Sequence, residues 1–171
     1  MKQGGIWADF GSGEGAFTLA LRDLVGPDVE IYSIDKDGER INRQKKAFNA
    51  QFPKTNIHYL EQDFAKDLKL PLLDGILMAN SLHYVKDHIS FLKSIQKYLK
   101  SHGKLVLVEY SIDEGNKWVP YPLSYETFAH FAKQTGFEKV ELLEKIPSTY
   151  WDEMYSAQAI GYSKPSKPLL R

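Results

Sequence analysis

Short apolar runs rich in β-branched residues alternate along the chain with longer segments in which apolar residues recur at helical spacing. This alternation is typical of an α/β fold with a largely parallel sheet, because a helix follows each strand and covers it. The first unit combines a strand over residues 5–8, a glycine-rich turn through Gly15, and a helix that ends before Gly26. The same pattern predicts strands over 29–34, 57–60, 75–79 and 105–108, helices over 37–50, 86–100 and 124–136, and a final antiparallel pair over 138–146 and 154–162.

The size and composition of the chain indicate one domain. Its 171 residues, 43% of them hydrophobic and 13% aromatic, are enough for one buried core and too few for two ordinary domains. We expect a single domain over residues 1–163 and a disordered tail over 164–171, where two prolines and three basic residues show no periodicity. No run approaches the roughly 18 apolar residues that cross a bilayer, so the sequence predicts a cytoplasmic protein without a membrane partner.

Charge and residue usage exclude several kinds of site. The 22 Lys and Arg are matched by 22 Asp and Glu, whereas a nucleic-acid-binding protein usually carries a cationic excess. The absence of cysteine excludes disulfides, a thiolate nucleophile and thiolate metal ligands. The five histidines show no metal-ligand spacing, so no metal site is expected. The charged run from Lys36 to Lys46 is interpreted as the solvated face of a helix.

The turn after the first strand carries the strongest local motif, which is Gly11-Ser12-Gly13-Glu14-Gly15-Ala16. Glycines at this spacing permit a sharp turn and expose backbone N–H groups at a helix N-terminus, which suits a nucleotide-like ligand. The motif also satisfies the loose dinucleotide fingerprint, so an NAD-dependent oxidoreductase is one interpretation. Asp9 and Glu14 argue against it, because both carboxylates would repel a pyrophosphate.

Acidic residues also follow the next two strands. Asp35 ends the second strand, where a carboxylate accepts hydrogen bonds from the hydroxyls of a ribose. Asp63 follows the third strand and is a candidate acceptor for an adenine amino group, with Phe64 packing on the ring. Carboxylates at three strand ends favour a cationic ligand without phosphates. S-adenosylmethionine (SAM) is such a ligand, since it combines a sulfonium, an α-ammonium, a ribose and an adenine.

Five segments of the sequence carry a family resemblance: ADFGSGEG, YSIDKD, EQDF, LDGILMANSLHYV and GKLVLVEY. In this order and at these intervals, the sequence resembles the class I SAM-dependent methyltransferases over roughly residues 4–162. It is most similar to small-molecule methyltransferases related to those of quinone biosynthesis. The resemblance implies a three-layer, Rossmann-like fold whose mostly parallel seven-stranded sheet has its last strand antiparallel.

The resemblance also implies a function and a cofactor. The function is in-line transfer of the SAM methyl group to a small-molecule acceptor, and the alternative is a non-catalytic SAM-binding subunit or regulator of the same fold. In this family the acidic residue before the glycines helps to hold the methionine moiety, and acidic residues after the second and third strands bind ribose and adenine. The implied cofactor-binding residues are Asp9, Phe10, Gly11, Gly13, Gly15, Asp35, Lys36, Asp63, Phe64 and Asn80.

Candidate acceptor-side residues lie after the fourth strand and in two later loops. His83 is a candidate general base for an oxygen or nitrogen nucleophile, and a histidine that only fills space or bonds the backbone is the alternative. Loop aromatics would suit a planar or apolar acceptor and could attract the sulfonium by cation–π interaction. As the candidate general base, His83 is the predicted catalytic residue. The predicted substrate-binding residues are His83, Tyr84, Tyr110, Trp118, Tyr121, Tyr150 and Tyr155.

The sequence departs from the family pattern in two ways. Only residues 1–5 precede the first strand, and the helices that often cover the substrate in this family are missing there. We expect cover from other loops, from the partner subunit of a homo-oligomer, or none. Enzymes that methylate exocyclic amines of nucleic-acid bases carry Asn or Asp, Pro, Pro and an aromatic after the fourth strand. Asn80-Ser81-Leu82-His83 stands here instead, which agrees with the balanced charge in disfavouring nucleic acid.

Overall fold

The computed structural model describes residues 4–162, and the tail predicted over residues 164–171 lies outside the described residues. The strands are β1 (Ile6–Phe10), β2 (Glu30–Asp35), β3 (Asn56–Glu61), β4 (Leu73–Ala79), β5 (Leu99–Tyr110), β6 (Lys139–Pro147) and β7 (Glu153–Ile160). The α-helices are α1 (Ala16–Val25), α2 (Gly38–Gln51), α3 (His88–Ile95) and α4 (Tyr125–Gln134), and single 3-10 turns lie at Leu82–Tyr84 and Gln96–Tyr98. Within residues 4–162, no helix is long and apolar enough to cross a membrane.

The seven strands form one sheet in the order β3-β2-β1-β4-β5-β7-β6. Strands β1 to β5 are parallel, and β7 lies antiparallel between β5 and β6. The chain runs outward from β1 to β3 and then returns to place β4 on the other side of β1. At such a reversal the loops after β1 and β4 diverge and leave a crevice at the carboxyl ends of the strands. The predicted Rossmann-like fold with an antiparallel last strand is confirmed.

Helices cover both faces of the sheet, and this gives the predicted three layers. On one face Trp7 of β1 packs with Leu21 of α1. On the other, Met78 of β4 packs in one core with Leu92 of α3 and Phe128 of α4. Because successive strand residues point to opposite faces, Asp9 shares the α1 face with Trp7.

Two elements differ most in their ends from the sequence-based predictions. The predicted helix over residues 86–100 ends at Ile95, and β5 begins at Leu99, which pairs with Leu73 of β4. Ile95 and Leu99 are four residues apart, so their spacing fits a continuing helix equally well. Strand β5 also extends to Tyr110. Glu109, which follows the predicted strand over residues 105–108, therefore lies inside the sheet.

Candidate active site

The loops after β1 and β4 are joined where they leave the sheet, at the point where the strand order reverses. The Ser81 hydroxyl donates a 2.6 Å hydrogen bond to the carbonyl of Phe10, which ties the end of β4 to the end of β1. The backbone N–H of Gly11 donates to the carbonyl of Ile34 in β2 at 2.8 Å. A Cβ on Gly11 would lie 2.5 Å from Ser81 Cβ. The glycine turn is thus fixed between β2 and β4, with no space for a side chain at its first position.

Left-handed backbone conformations run through this turn, with φ of 79° at Gly11, 56° at Gly13 and 91° at Gly15. The N–H of Gly13 donates to the Asp35 carboxylate at 2.8 Å. A Cβ on Gly13 would meet nothing closer than the Arg40 guanidinium at 3.9 Å. The turn therefore has an open side next to the N-terminus of α1, where a ligand can approach the backbone closely.

Asp9 lies beneath the turn and is 1% exposed. Its Oδ2 accepts a 2.6 Å hydrogen bond from the Thr18 hydroxyl of α1. Burial raises the pKa of Asp9 from its usual 3.8 to about 7; the Thr18 hydrogen bond opposes this rise, and the Asp35 carboxylate adds to it. A cationic ligand bound at the turn would favour the ionised form of this carboxyl group.

A buried polar network supports Asp9 from α2. The Gln44 amide nitrogen donates to the Thr18 hydroxyl at 2.9 Å, and its Oε1 accepts from the Ser33 hydroxyl at 2.8 Å. The Ser12 hydroxyl lies 2.8 Å from that of Ser33, so the network reaches back to the turn. Gln44 was not among the site residues predicted from the sequence. In the sequence, Gln44 can be recognised as a polar residue on the apolar face of α2, because Ile41 and Phe48 are buried on the same face.

Two further predicted carboxylates lie after neighbouring strands. The two oxygens of Asp35 accept from the N–H groups of Gly13 at 2.8 Å and Asp37 at 2.9 Å. Asp63 Oδ1 accepts from the N–H of Ala65 at 3.0 Å. Because a carboxylate oxygen takes more than one hydrogen bond, both groups keep positions for ligand hydroxyl or amino donors.

The predicted cofactor residues around these carboxylates differ in their exposure. Lys36 is exposed, whereas Phe64 is half-buried. The Phe64 ring stacks on the Phe10 ring at 5.9 Å between centroids. The Phe10 ring is fully buried in the core, so only the backbone of Phe10 reaches the turn.

Asn80, the first residue after β4, has a φ of 52°, a value that is rare for a residue other than glycine. Its N–H donates to the Val108 carbonyl at 2.9 Å, which holds the loop against β5. Its Oδ1 is buried and has no hydrogen-bond partner among the described residues. Because a buried unpaired oxygen costs about 1–3 kcal/mol, this atom indicates a ligand that donates to it. The open turn, the acidic groups and this oxygen together fit a cationic nucleoside.

A cavity of about 450 Å³ adjoins this loop, which is a size typical of small-molecule sites. It is lined by Arg40, Asn80, His83, Tyr84, Tyr110, Trp118, Val119 and Tyr150. The structure thus brings together five of the seven predicted substrate-side residues. Arg40 also lines the cavity. The charged run of α2 that contains Arg40 was interpreted as a solvated face, and that interpretation did not include a contact with the cavity.

Two predicted substrate-side residues do not line the cavity. Tyr155 is 1% exposed, and its hydroxyl donates to the Leu123 carbonyl at 3.1 Å, so it is a core residue that faces α4. Burial raises the pKa of its hydroxyl. Tyr121 is partly exposed, and its backbone N–H donates to the His83 carbonyl at 3.0 Å. Tyr121 therefore supports the His83 loop through its backbone.

Glu109 is the main site residue that was not predicted from the sequence. It is fully buried, and its Oε2 lies 2.8 Å from His83 Nδ1, while its Oε1 accepts from the His83 backbone N–H at 3.2 Å. The other ring nitrogen of His83, Nε2, is buried and without a partner among the described residues. In the sequence, Glu109 can be recognised only as a lone carboxylate in the otherwise apolar end of β5. Within residues 4–162, no group of three His, Cys, Asp or Glu residues could hold a metal ion.

Solved structures share this fold. A SAM-dependent methyltransferase from Aquifex aeolicus superimposes with a TM-score of 0.71 at 21% identity, over 93% of this chain and 83% of that one. An arsenic(III) SAM methyltransferase from Chlamydomonas reinhardtii gives 0.76 at 15% identity, over 96% and 65%. Phosphoethanolamine N-methyltransferase 2 from Haemonchus contortus, solved with phosphomonomethylethanolamine and S-adenosylhomocysteine, gives 0.76 at 15% identity, over 95% and 50%. The chain thus spans less than two thirds of the last two proteins.

Sequence comparison assigns the family. No curated protein matches the chain. A family model described as a methyltransferase domain matches residues 2–158, which is most of the chain. The sheet order and the glycine turn after β1 agree with that match. The chain therefore belongs to the methyltransferase domain family and is a methyltransferase that uses S-adenosylmethionine as its methyl donor.

Proposed function

We propose that the protein transfers the SAM methyl group to a small molecule bound in the 450 Å³ cavity, in line with the carbon–sulfur bond. One observation carries this proposal. Asn80 and His83 both line the cavity, and each has a buried polar atom without a partner among the described residues, namely Asn80 Oδ1 and His83 Nε2. The first residue follows the end of β4 beside the glycine turn, and the second lies among aromatic side chains. A cofactor and an acceptor can therefore meet in one cavity.

On the cofactor side, Asp35 would accept from the ribose hydroxyls, and Asp63 would accept from the adenine amino group. Gly11 and Gly13 would pass beneath the nucleoside. The remaining cofactor contacts that we propose come from Phe10, through its backbone, and from Gly15, Lys36 and Phe64. S-adenosylmethionine supplies a methyl group on a positively charged sulfur, and its transfer leaves the neutral thioether S-adenosylhomocysteine.

Asp9 and Asn80 would serve the methionine end. Asp9 is 1% exposed, so the negative charge that it carries once ionised acts in an environment that screens it less than water does. Asn80 Oδ1 would accept from the α-ammonium group and so gain the partner that it lacks in the described residues. These two oxygens favour a cationic end group.

On the acceptor side, aromatic rings would position a planar molecule. The rings of Tyr110 and Tyr150 are 5.6 Å apart, and those of His83 and Tyr84 are 4.4 Å apart. Trp118, which is 63% exposed, would close the rim. The sulfonium activates its own methyl group, so orienting the acceptor and excluding water are the main tasks left to these side chains.

Calorimetric titration tests the cofactor half of the proposal. S-adenosylhomocysteine is expected to bind in a 1:1 complex, and NAD is expected not to bind, since Asp9 and Glu14 repel a pyrophosphate. Turnover is then followed as S-adenosylhomocysteine released with small hydroxylated, amino and thiol aromatics, and with DNA and RNA oligonucleotides as negative controls. Binding of S-adenosylhomocysteine without turnover of any acceptor would support a non-catalytic subunit instead.

Asp35→Ala is expected to weaken S-adenosylhomocysteine binding by at least about 10-fold, because hydrogen bonds to a charged group are worth about 1.5–3 kcal/mol. Asp37→Ala is the matched control. Asp37 caps α2 two residues away and accepts from the N–H groups of Glu39 and Arg40. Its loss should lower helix stability by about 1 kcal/mol and leave affinity within about 3-fold of wild type. Equal effects of the two substitutions in calorimetry would contradict the ribose role.

Three further points belong to this proposal, namely a candidate acceptor, the domain extent with the location, and the oligomeric state. The likeness to quinone-biosynthesis methyltransferases makes a quinol one acceptor to include among the hydroxylated aromatics. We also propose a single domain over residues 1–163 and a cytoplasmic location, as the composition predicts. A homo-oligomer would cover the exposed rim of the cavity at Trp118. Gel filtration with and without S-adenosylhomocysteine measures the oligomeric state.

A further inference from the structure

Glu109 and His83 form a buried pair in which Glu109 contacts both the backbone and the ring of His83. Glu109 is the only acidic residue of β5, and its side chain is completely buried. One carboxyl oxygen accepts from the His83 backbone N–H at 3.2 Å, and the other lies 2.8 Å from Nδ1 of the His83 ring. The same carboxyl group therefore holds both the loop after β4 and the orientation of the imidazole.

This contact determines which ring nitrogen carries the proton. A carboxyl oxygen at 2.8 Å from Nδ1 accepts a proton from it, which leaves the lone pair of the neutral imidazole on Nε2. Nε2 is buried and has no partner among the described residues, and His83 lines the cavity. A buried acceptor on the cavity wall is suited to a ligand that brings its own proton.

Building on the proposed function, we infer that Glu109 is a positioning residue that keeps His83 Nε2 available as a proton acceptor, and that the methyl acceptor is a hydroxyl group on a planar ring. An acceptor that is already ionised would leave Nε2 without a use. The ring is indicated by the aromatic residues that line the cavity beside His83, which are Tyr84, Tyr110 and Tyr150.

The charges in the cavity favour a hydroxyl over an amine. Arg40 lines the cavity, and the methyl donor is itself a cation. Two positive charges stabilise an oxygen that becomes negative and disfavour an amine nitrogen, which becomes positive as it bonds to the methyl carbon. In the step, the acceptor O–H proton moves to Nε2 while the oxygen bonds to the methyl carbon. The carbon–sulfur bond breaks with its electron pair on sulfur, and the imidazolium beside Glu109 later returns its proton to water.

The tautomer is tested directly in the full chain with S-adenosylhomocysteine bound. Nitrogen-15 NMR at about pH 8, where an ordinary imidazole is neutral, is expected to show His83 protonated at Nδ1. The His83→Asn variant identifies the signal. Glu109→Gln is expected to remove the preference, because an amide can donate to Nδ1 as well as accept from it. A wild-type His83 protonated at Nε2 would overturn the positioning role even if Glu109→Gln does not fold.

The acceptor class is tested with 4-methylphenol, 4-methylaniline and 4-nitrophenol, the last of which is largely ionised under these conditions. Wild type is expected to methylate 4-methylphenol in preference to the aniline. Glu109→Gln should lower kcat for 4-methylphenol by about 100-fold, with KM for SAM unchanged, because a misplaced proton disables the base. The loss for 4-nitrophenol should be below about 3-fold, since this acceptor brings no proton to remove.

The outcomes separate this inference from the proposed function. Failure of S-adenosylhomocysteine to bind would overturn both. If it binds but the aniline is preferred, or both phenols lose activity equally in Glu109→Gln, only the inference fails. It also fails if no phenol is methylated and none changes the His83 nitrogen signals of the S-adenosylhomocysteine complex. A larger signal change with 4-methylphenol than with its methyl ether would support it.

Discussion

Replacing Asp9 with asparagine is expected to stabilise the protein at neutral and higher pH and to remove most of its affinity for SAM. Burial raises the pKa of this carboxyl from 3.8 to about 7. Between these values the folded protein keeps a proton that the unfolded chain has lost, so the free energy of unfolding falls as pH rises from about 4 to about 7. Because one pKa unit corresponds to about 1.4 kcal/mol, the ionised carboxylate costs about 4 kcal/mol above this range.

The stability half of this prediction is measured by urea unfolding at several pH values. An asparagine stays neutral at every pH and still offers an oxygen to the Thr18 hydroxyl. The gain from Asp9→Asn should therefore grow from less than about 1 kcal/mol near pH 4 to about 4 kcal/mol near pH 8. Glu14→Gln is the control, since Glu14 is an exposed carboxylate of the same turn paired with Arg43. It should change stability by less than about 1 kcal/mol. A gain that does not depend on pH would contradict the burial argument.

The binding half follows from the same carboxyl group. If a cationic methionine end requires ionised Asp9, binding SAM near pH 6 must release a proton, and affinity must rise between about pH 6 and pH 8. Calorimetry in two buffers with different heats of ionisation counts that proton. Asp9→Asn should abolish the release and weaken binding by about 30-fold or more, since the charge partner is gone. An unchanged affinity would remove Asp9 from the methionine site.

The sheet and the glycine turn could be predicted because their signals are local. Glycine is the residue that accepts the positive φ values found at Gly11 and Gly13, so the turn can be recognised from neighbouring residues alone. Likewise, a buried parallel strand such as β4 is apolar along its length, and it follows directly from the sequence. Acidic residues at strand ends then come to one edge of the sheet through the topology.

The acceptor side could not be predicted in the same way, because it depends on register between distant segments. Tyr155 pairs with Glu109 across β5 and β7, and this register turns the tyrosine into the core beneath α4. A shift of one residue would have exposed it on the other face. The contact between Glu109 and His83 joins residues 26 apart, and no local spacing rule connects them. Arg40 lies on an otherwise exposed helix, and only the fold brings it to the cavity.

Alanine substitutions at Gly11 and Gly13 are expected to separate folding from binding. At Gly11 the new Cβ would lie 2.5 Å from Ser81 Cβ, at a φ of 79°. The combined clash and backbone strain should cost about 2–4 kcal/mol and open the junction between the β1 and β4 loops. At Gly13 the φ is 56°, and the nearest atom is 3.9 Å away on Arg40. Only the left-handed backbone is then unfavourable, at about 1–2 kcal/mol.

At Gly13 the substitution should weaken cofactor binding more than it lowers stability. Its methyl group would occupy the open side of the turn where the nucleoside must approach the backbone, so S-adenosylhomocysteine affinity should fall by at least about 10-fold while the fold persists. Gly4→Ala is the matched control, because Gly4 has a φ of 75° with nothing within 4 Å of its Cβ position and lies at the start of the described chain. It measures backbone strain alone. If Gly13→Ala and Gly4→Ala lose the same stability and both bind as wild type does, the open side of the turn is not where the cofactor lies.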